Sequence, residues 1–324
     1  MKKLLIATAA MAVVAGAQAQ SSVTVYGGLD VSYSSVDTNN AGASTTQGDS
    51  ALYSSRIGFK GTEDLGGGLK AEFALEAPLT TTDGNATGLV FSRAAWVGLT
   101  SKTLGSIKMG KMDMTYAEGL DSTVGQMGNL TNASGNLGSD QSSTIQYTTP
   151  TFAGLTAQVA YANDSTTAAG ETTAGKRYTS AAVKYEAGKL VVLAGQTSKT
   201  IDASYDQKET TYGLSYDFGI AKVGAYQSVR DAASNTADDR KQTIFSVSAP
   251  VAMLGSGVTA HVAYSTSEND VAANTDLDTT KFALTKAFSK RTTGYVAYST
   301  SDSNSSAAAS KEAKGYYAGV VHTF

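Results

Sequence analysis

The last nine residues constrain this chain most. Tyr316, Ala318, Val320, His322 and Phe324 share one parity, and Tyr317, Gly319, Val321 and Thr323 the other. In a strand, successive side chains point to opposite faces, so one face of this segment is fairly apolar. A soluble domain rarely leaves such a strand, ended by an aromatic, fraying at a terminus. A closed barrel in a bilayer has a use for it: the last strand pairs with the first, and the terminal ring sits at the lipid interface.

The same alternation recurs along the chain. Val23, Val25, Gly27, Leu29 and Val31 oppose Thr24, Tyr26, Gly28, Asp30 and Ser32, and Leu69, Ala71, Phe73 and Leu75 oppose Lys70, Glu72, Ala74 and Glu76. Leu155 to Tyr161, Tyr212 to Phe218 and Val258 to Tyr264 repeat it. A strand with Lys and Glu opposite Leu and Phe has one wet face and one oily face. Sixteen such segments can be counted. Only three prolines, with 33 glycines and 17 tyrosines, suit a β-rich chain.

Connections alternate in length. Short turns are expected at Glu63 to Gly68, Ser101 to Gly105, Thr149 to Gly154, Glu186 to Lys189, Asp217 to Gly219 and Phe288 to Arg291. Polar stretches such as Asn163 to Gly175, Arg230 to Asp239 and Ser301 to Ala313 are expected as long loops. Short turns at one rim and long loops at the other are the outer-membrane barrel layout. A soluble sandwich would need sixteen strands around one core, and no fixed-length repeat supports a solenoid. The expectation is an all-β, 16-stranded antiparallel transmembrane barrel.

One connection stands apart. Thr115 to Ser143, after the fifth strand, is far longer than the ~12–15 residues at which a structureless loop becomes unusual. A sixteen-strand barrel has an aqueous interior with room for it. The expectation is that this loop folds into the lumen.

The N-terminus reads as an export signal: Lys2 and Lys3, an apolar run from Leu4 to Val14, and Ala17-Gln18-Ala19. Cleavage after Ala19 makes residues 1–19 a signal peptide and Gln20 the first residue of a barrel spanning 20–324. The mature part has no cysteine, so packing or closure must stabilise it. Losing two of the 25 basic residues leaves 23 against 28 acidic, a net charge near −5 that argues against nucleic-acid binding. No mature run of 18 apolar residues supports a membrane helix.

Four internal segments and the two ends carry a resemblance. Ser54 to Glu76 reads SSRIGFKGTEDLGGGLKAEFALE, Ser92 to Lys111 reads SRAAWVGLTSKTLGSIKMGK, Thr149 to Leu155 reads TPTFAGL, and Ala287 to Thr292 reads AFSKRT. With SSVTVYGGLDVSY at the start and GVVHTF at the end, the chain resembles the Gram-negative general porins of the neisserial and β-proteobacterial type. The resemblance implies a homotrimer of sixteen-stranded barrels in the outer membrane. Each would have its own water-filled pore, narrowed by an inward third loop. It also implies basic wall residues facing loop acids, and the wall arginines map onto Arg56 and Arg93. Recognition of Phe324 by the barrel-insertion machinery is implied too, and outer-membrane lipids and lipopolysaccharide would surround the barrel. Two departures matter. The loop has Thr-Tyr-Ala-Glu-Gly-Leu-Asp in place of a Pro-Glu-Phe turn. Asp140 and Gln141 stand near the place of a further arginine found in anion-preferring relatives.

Parity sorts the candidate pore residues. Arg56 lies with Gly58 and Lys60, opposite Ile57 and Phe59, so it points into the lumen; on the lipid face it would cost a few kcal/mol. Lys108 lies opposite Ile107 and Met109. Arg93 shares the parity of Ala95, Val97 and Leu99 and needs a bulge or a position above the membrane band to face the pore. Lys111 sits at a strand-to-loop junction. Glu118, Asp121 and Asp140 are the acids of the long loop. Opposed charges across a narrow gap orient water and disfavour apolar solutes.

Catalysis finds no support. The two histidines, His261 and His322, have no recognisable partners, and no G-x-S-x-G motif is present. No metal motif or cofactor signature appears, and Gly66-Gly67-Gly68 is a turn. The expected function is passive diffusion of ions and small hydrophilic solutes, with weak selectivity and a slight cation lean from the loop acids Glu118, Asp121 and Asp140 and the net negative charge. The competing reading is a non-conducting barrel acting as an adhesin or structural anchor.

Overall fold

The computed structural model describes residues 22–38, 42–82, 90–114, 124, 141–164, 176–202, 205–232, 239–269, 275–305 and 308–324. The signal-peptide boundary at Ala19 and Gln20, and the loop acids Glu118, Asp121 and Asp140, lie outside them.

Seventeen strand segments form one antiparallel sheet. They are β1 (Ser22–Thr38), β2 (Ser44–Asp49), β3 (Arg56–Gly66), β4 (Leu69–Pro78), β5 (Ala94–Ser101), β6 (Gly105–Met112), β7 (Gln141–Thr148), β8 (Leu155–Asp164) and β9 (Lys176–Ala187). After these come β10 (Leu190–Asp202), β11 (Tyr205–Asp217), β12 (Lys222–Ala232), β13 (Arg240–Pro250), β14 (Val258–Asn269), β15 (Thr275–Ala287), β16 (Thr292–Ser305) and β17 (Ala308–Thr323). Both β2 and β3 pair with β1, β2 with Val31 to Val36 and β3 with Ser22 to Gly28, so they are two pieces of one barrel strand. The barrel therefore has sixteen strands.

Closure is made by β1 and β17, in register from Gly28↔Thr323 to Thr38↔Ala313. The main chains of Gly27 and Phe324 add a reciprocal pair of bonds, each 3.1 Å. Closing the sheet removes its edges, which is the condition for crossing lipid with strands.

The two faces differ as the alternation requires. Outside lie Val25, Val97, Met109, Tyr147, Val159, Tyr212, Phe245, Phe282 and Tyr316, all exposed. An apolar band of this extent would drive a water-soluble barrel to aggregate, whereas lipid solvates it. Inside, Ser32, Thr144, Gln146, Thr197, Glu209, Arg230 and Lys281 are buried. At the first tight turn Gly66, Gly67 and Gly68 take φ of 83°, 61° and 81°, which a side chain would strain.

One expected loop is largely sheet. Ser301 to Ala313 reads as a polar connection, yet β16 runs to Ser305 and β17 starts at Ala308. Asp302 faces Glu312 and Ser303 faces Lys311 across this hairpin. Both faces are polar because the hairpin projects beyond the apolar band, so alternation could not mark it. Lys314 Nζ, 2.6 Å from Glu312, offsets the acid pair.

Candidate functional site: the charged wall of the lumen

Inward residues of β1 and β3 to β6 line a cavity of about 520 Å³ that includes Tyr26, Arg56, Lys60, Glu72, Glu76, Arg93, Trp96, Lys108 and Asp113. Glu76 is its hub. It accepts from Arg93 Nε at 2.6 Å, from Arg56 Nη1 at 3.3 Å and from the Tyr26 hydroxyl at 3.1 Å. Charge-assisted bonds of this kind hold long side chains in one geometry.

The cations also rest on rings. Lys108 Nζ lies 4.4 Å from the Trp96 ring centroid, Lys60 Nζ lies 5.0 Å from that of Tyr26, and the Arg56 guanidinium carbon lies 4.7 Å from that of Tyr53. Such contacts contribute about 0.5–1 kcal/mol at exposed sites. Register and glycine make the Lys108 contact possible. Lys108 faces Gly98, and Trp96 faces Gly110. A Cβ on Gly98 would stand 2.9 Å from Lys108 Cγ, so only glycine lets the stem cross to the indole.

Arg56 and Lys108 lie on the lumen side expected from parity. Arg93 reaches the lumen without a bulge. It stands on a bend just before β5, its N–H donating to Glu76 O at 3.1 Å, where strand parity no longer applies. Lys111 faces Ala95 on the outward parity and is not part of the cavity lining. A register shift between Gly110 and Met112 falls at Lys111 itself, near Ser143 at φ 51° on the partner strand.

At the root of the long loop Met114 is buried against Ala160, Ala162 and Tyr178. Val124, the one described residue between Met114 and Gln141, is buried against Tyr226 and Ile244. All five partners sit on the inner wall, since their neighbours Val159, Tyr161 and Phe245 are exposed outside.

Sequence reasoning missed two features of the wall. On β11 and β12, Glu209 directly faces Arg230; Arg230 Nη2 lies 3.2 Å from Glu209 Oε2, and Ser228 donates to the other oxygen. On β1, buried Asp30 accepts from the Leu52 and Tyr53 N–H groups and from the Tyr295 hydroxyl. Parity with their strand neighbours is the signal that could have placed Asp30 and Glu209 inward, but their partners depend on register and on segments far away in sequence. His261 Nε2 and His322 Nδ1 meet only threonine hydroxyls, of Thr285 and Thr292, among the described contacts.

The sequence profile of the Gram-negative porin family matches residues 7–323. The chain belongs to this family. It is 32% identical to outer membrane porin protein 32 of Delftia acidovorans, over 99% of this chain and 95% of that one. It is 31% identical to an outer membrane porin protein of Bordetella pertussis, over 71% and 70% of the two chains. Among solved structures, the anion-selective porin from Comamonas acidovorans superposes with a TM-score of 0.80 at 27% identity, covering 94% of this chain and all of that one.

The protein is thus an outer-membrane porin, a channel and not an enzyme. The slight cation lean expected from the loop acids and net charge finds no support, because this similar porin is described as anion-selective.

Proposed function

We infer that this porin passes ions and small hydrophilic solutes by passive diffusion, with a weak lean to anions. The wall around Glu76 carries the reading. Its lining sets Arg56, Lys60, Arg93 and Lys108 against Glu72, Glu76 and Asp113, with Glu76 shared by two arginines and Tyr26. Lys60 and Lys108 rest on rings instead. Net charge counts every carboxylate equally, whereas a passing ion responds to those left uncompensated beside its path. The inward course expected of the long loop belongs to this reading, and the seating of Met114 and Val124 on the inner wall supports it. Glu118, Asp121 and Asp140 then moderate the anion lean from the loop side.

The chain works as a homotrimer. The outer face of β1, with Val23, Val25, Gly27, Leu29 and Val31, carries aliphatic and small residues suited to barrel–barrel packing. Export removes residues 1–19 and leaves Gln20 first. Phe324 serves the insertion machinery and anchors the closing strand; its ring lies where a Cβ on Gly27 would come within 2.8 Å. Swelling of proteoliposomes in isosmotic sugar solutions tests the diffusion reading. Rates should fall steeply from a pentose to a trisaccharide; no swelling with any sugar would instead favour a non-conducting anchor.

A further inference from the structure

We propose that Ser50 to Ser55 forms a second narrowing of the pore, anchored by Asp30, and that its Tyr53 positions Arg56. The proposal rests on reading the chain as a diffusion pore. Where β2 ends, Asp49 faces Val31; where β3 begins, Arg56 faces Gly28. Two residues of β1 fill that interval, against six on the interrupted strand. The excess must leave the sheet.

It leaves inward. Leu52 is buried in a cluster with Ala263, Ala283, Tyr295, Ala297 and Val321. The strand neighbours of that cluster, Val262, Phe282, Leu284, Val296 and Val320, face the outside. Three alanines on the far strands leave the hollow that Leu52 fills. The excursion therefore crosses the inner wall in front of β1.

Hydrogen bonds hold it. Asp30 Oδ2 accepts from the N–H of Leu52 at 2.6 Å and of Tyr53 at 2.8 Å, and Oδ1 accepts from the Tyr295 hydroxyl at 2.7 Å. The Ser55 hydroxyl donates to Asp49 at 2.8 Å and accepts from the Asp30 N–H at 2.9 Å. Thr81 donates to Asp49 at 2.5 Å. With the N–H groups of Ser50, Leu52, Tyr53 and Ser55 all bonded, the segment is an inner ledge and not a loose loop.

Tyr53 is the functional part of the ledge. Its ring lies over Gly28, where a Cβ would come within 2.7 Å of Cε1, and against the Arg56 guanidinium. Arg56 is thereby held between Tyr53, the Ser54 carbonyl and Glu76.

The absence of cysteine from the sequence permits a direct test. Tyr53→Cys is treated with an anionic methanethiosulfonate after reconstitution in planar bilayers. The sulfonate should attach, lower the current by roughly half and shift the reversal potential towards cations. Val97→Cys, on the lipid face, should leave the current unchanged. Tyr53→Phe, which keeps the ring, should retain the selectivity, whereas Tyr53→Leu should reduce the anion preference without reducing conductance. Asp30→Ala should raise conductance by releasing the ledge. A conducting Tyr53→Cys channel that does not react, or reacts without a change in current, overturns the proposal and leaves the diffusion reading standing. An unmodified protein that passes no current would fail the diffusion reading itself.

Discussion

Neutralising Glu76 tests the electrostatics of the wall. Glu76→Gln keeps the shape and one acceptor oxygen while removing the charge shared by Arg56 and Arg93. An ion passing about 6 Å away in the water-filled lumen feels that charge at about 0.7 kcal/mol before screening. A Debye length of about 10 Å at 0.1 M salt leaves about 0.4 kcal/mol. This is about a factor of two for each ion, in opposite senses, so the anion-to-cation permeability ratio should rise about fourfold. At 1 M, where the Debye length is about 3 Å, the change should shrink to less than about 1.5-fold. Reversal potentials in KCl gradients, taken at low and high salt for both proteins, read this directly. An unchanged ratio, a shift towards cations, or an equal effect at both salt levels would refute the reasoning.

Three further outcomes follow from other parts of the wall. Trp96, the single tryptophan, faces the lumen beside Lys108, so aqueous iodide should quench its fluorescence strongly and brominated lipid weakly; the reverse order would put it on the lipid face. Arg230→Met leaves Glu209 buried without its counter-charge and should cost about 3–5 kcal/mol, seen as a lower unfolding temperature by gel heat-modifiability; adding Glu209→Gln should recover most of it. Deleting Phe324 removes the bonds to Gly27 that extend closure and should sharply lower the yield of assembled protein in cells; a normal yield would count against its role.

Much of the barrel was legible because lipid and water impose a two-residue period on every strand that separates them. That period placed Arg56 and Lys108 on the lumen side. It stopped being informative where its cause stops. Arg93 sits on a bend where parity lapses, and Ser301 to Ala313 projects past the lipid into a hairpin polar on both faces. The Ser50 to Ser55 ledge left no local sign. Its hollow is made by Ala263, Ala283 and Ala297, and its anchor Asp30 bonds Tyr295, 265 residues away. Gly27 and Gly28 read as ordinary strand positions, yet one leaves room for the Phe324 ring and the other for Tyr53. The cation lean, read from the loop acids Glu118, Asp121 and Asp140 and from net charge, finds no support among the similar porins; summing charge along a sequence also ignores which carboxylates are already paired on the wall.

Single-channel recording of the purified protein in planar bilayers tests the central claim most directly. A water-filled porin should insert in discrete steps, with conductance rising in proportion to bulk KCl conductivity up to 1 M, and with a modest anion preference that fades as salt rises. Folded protein that inserts without current steps, or a conductance that saturates at low salt as a tight binding site would impose, would contradict it.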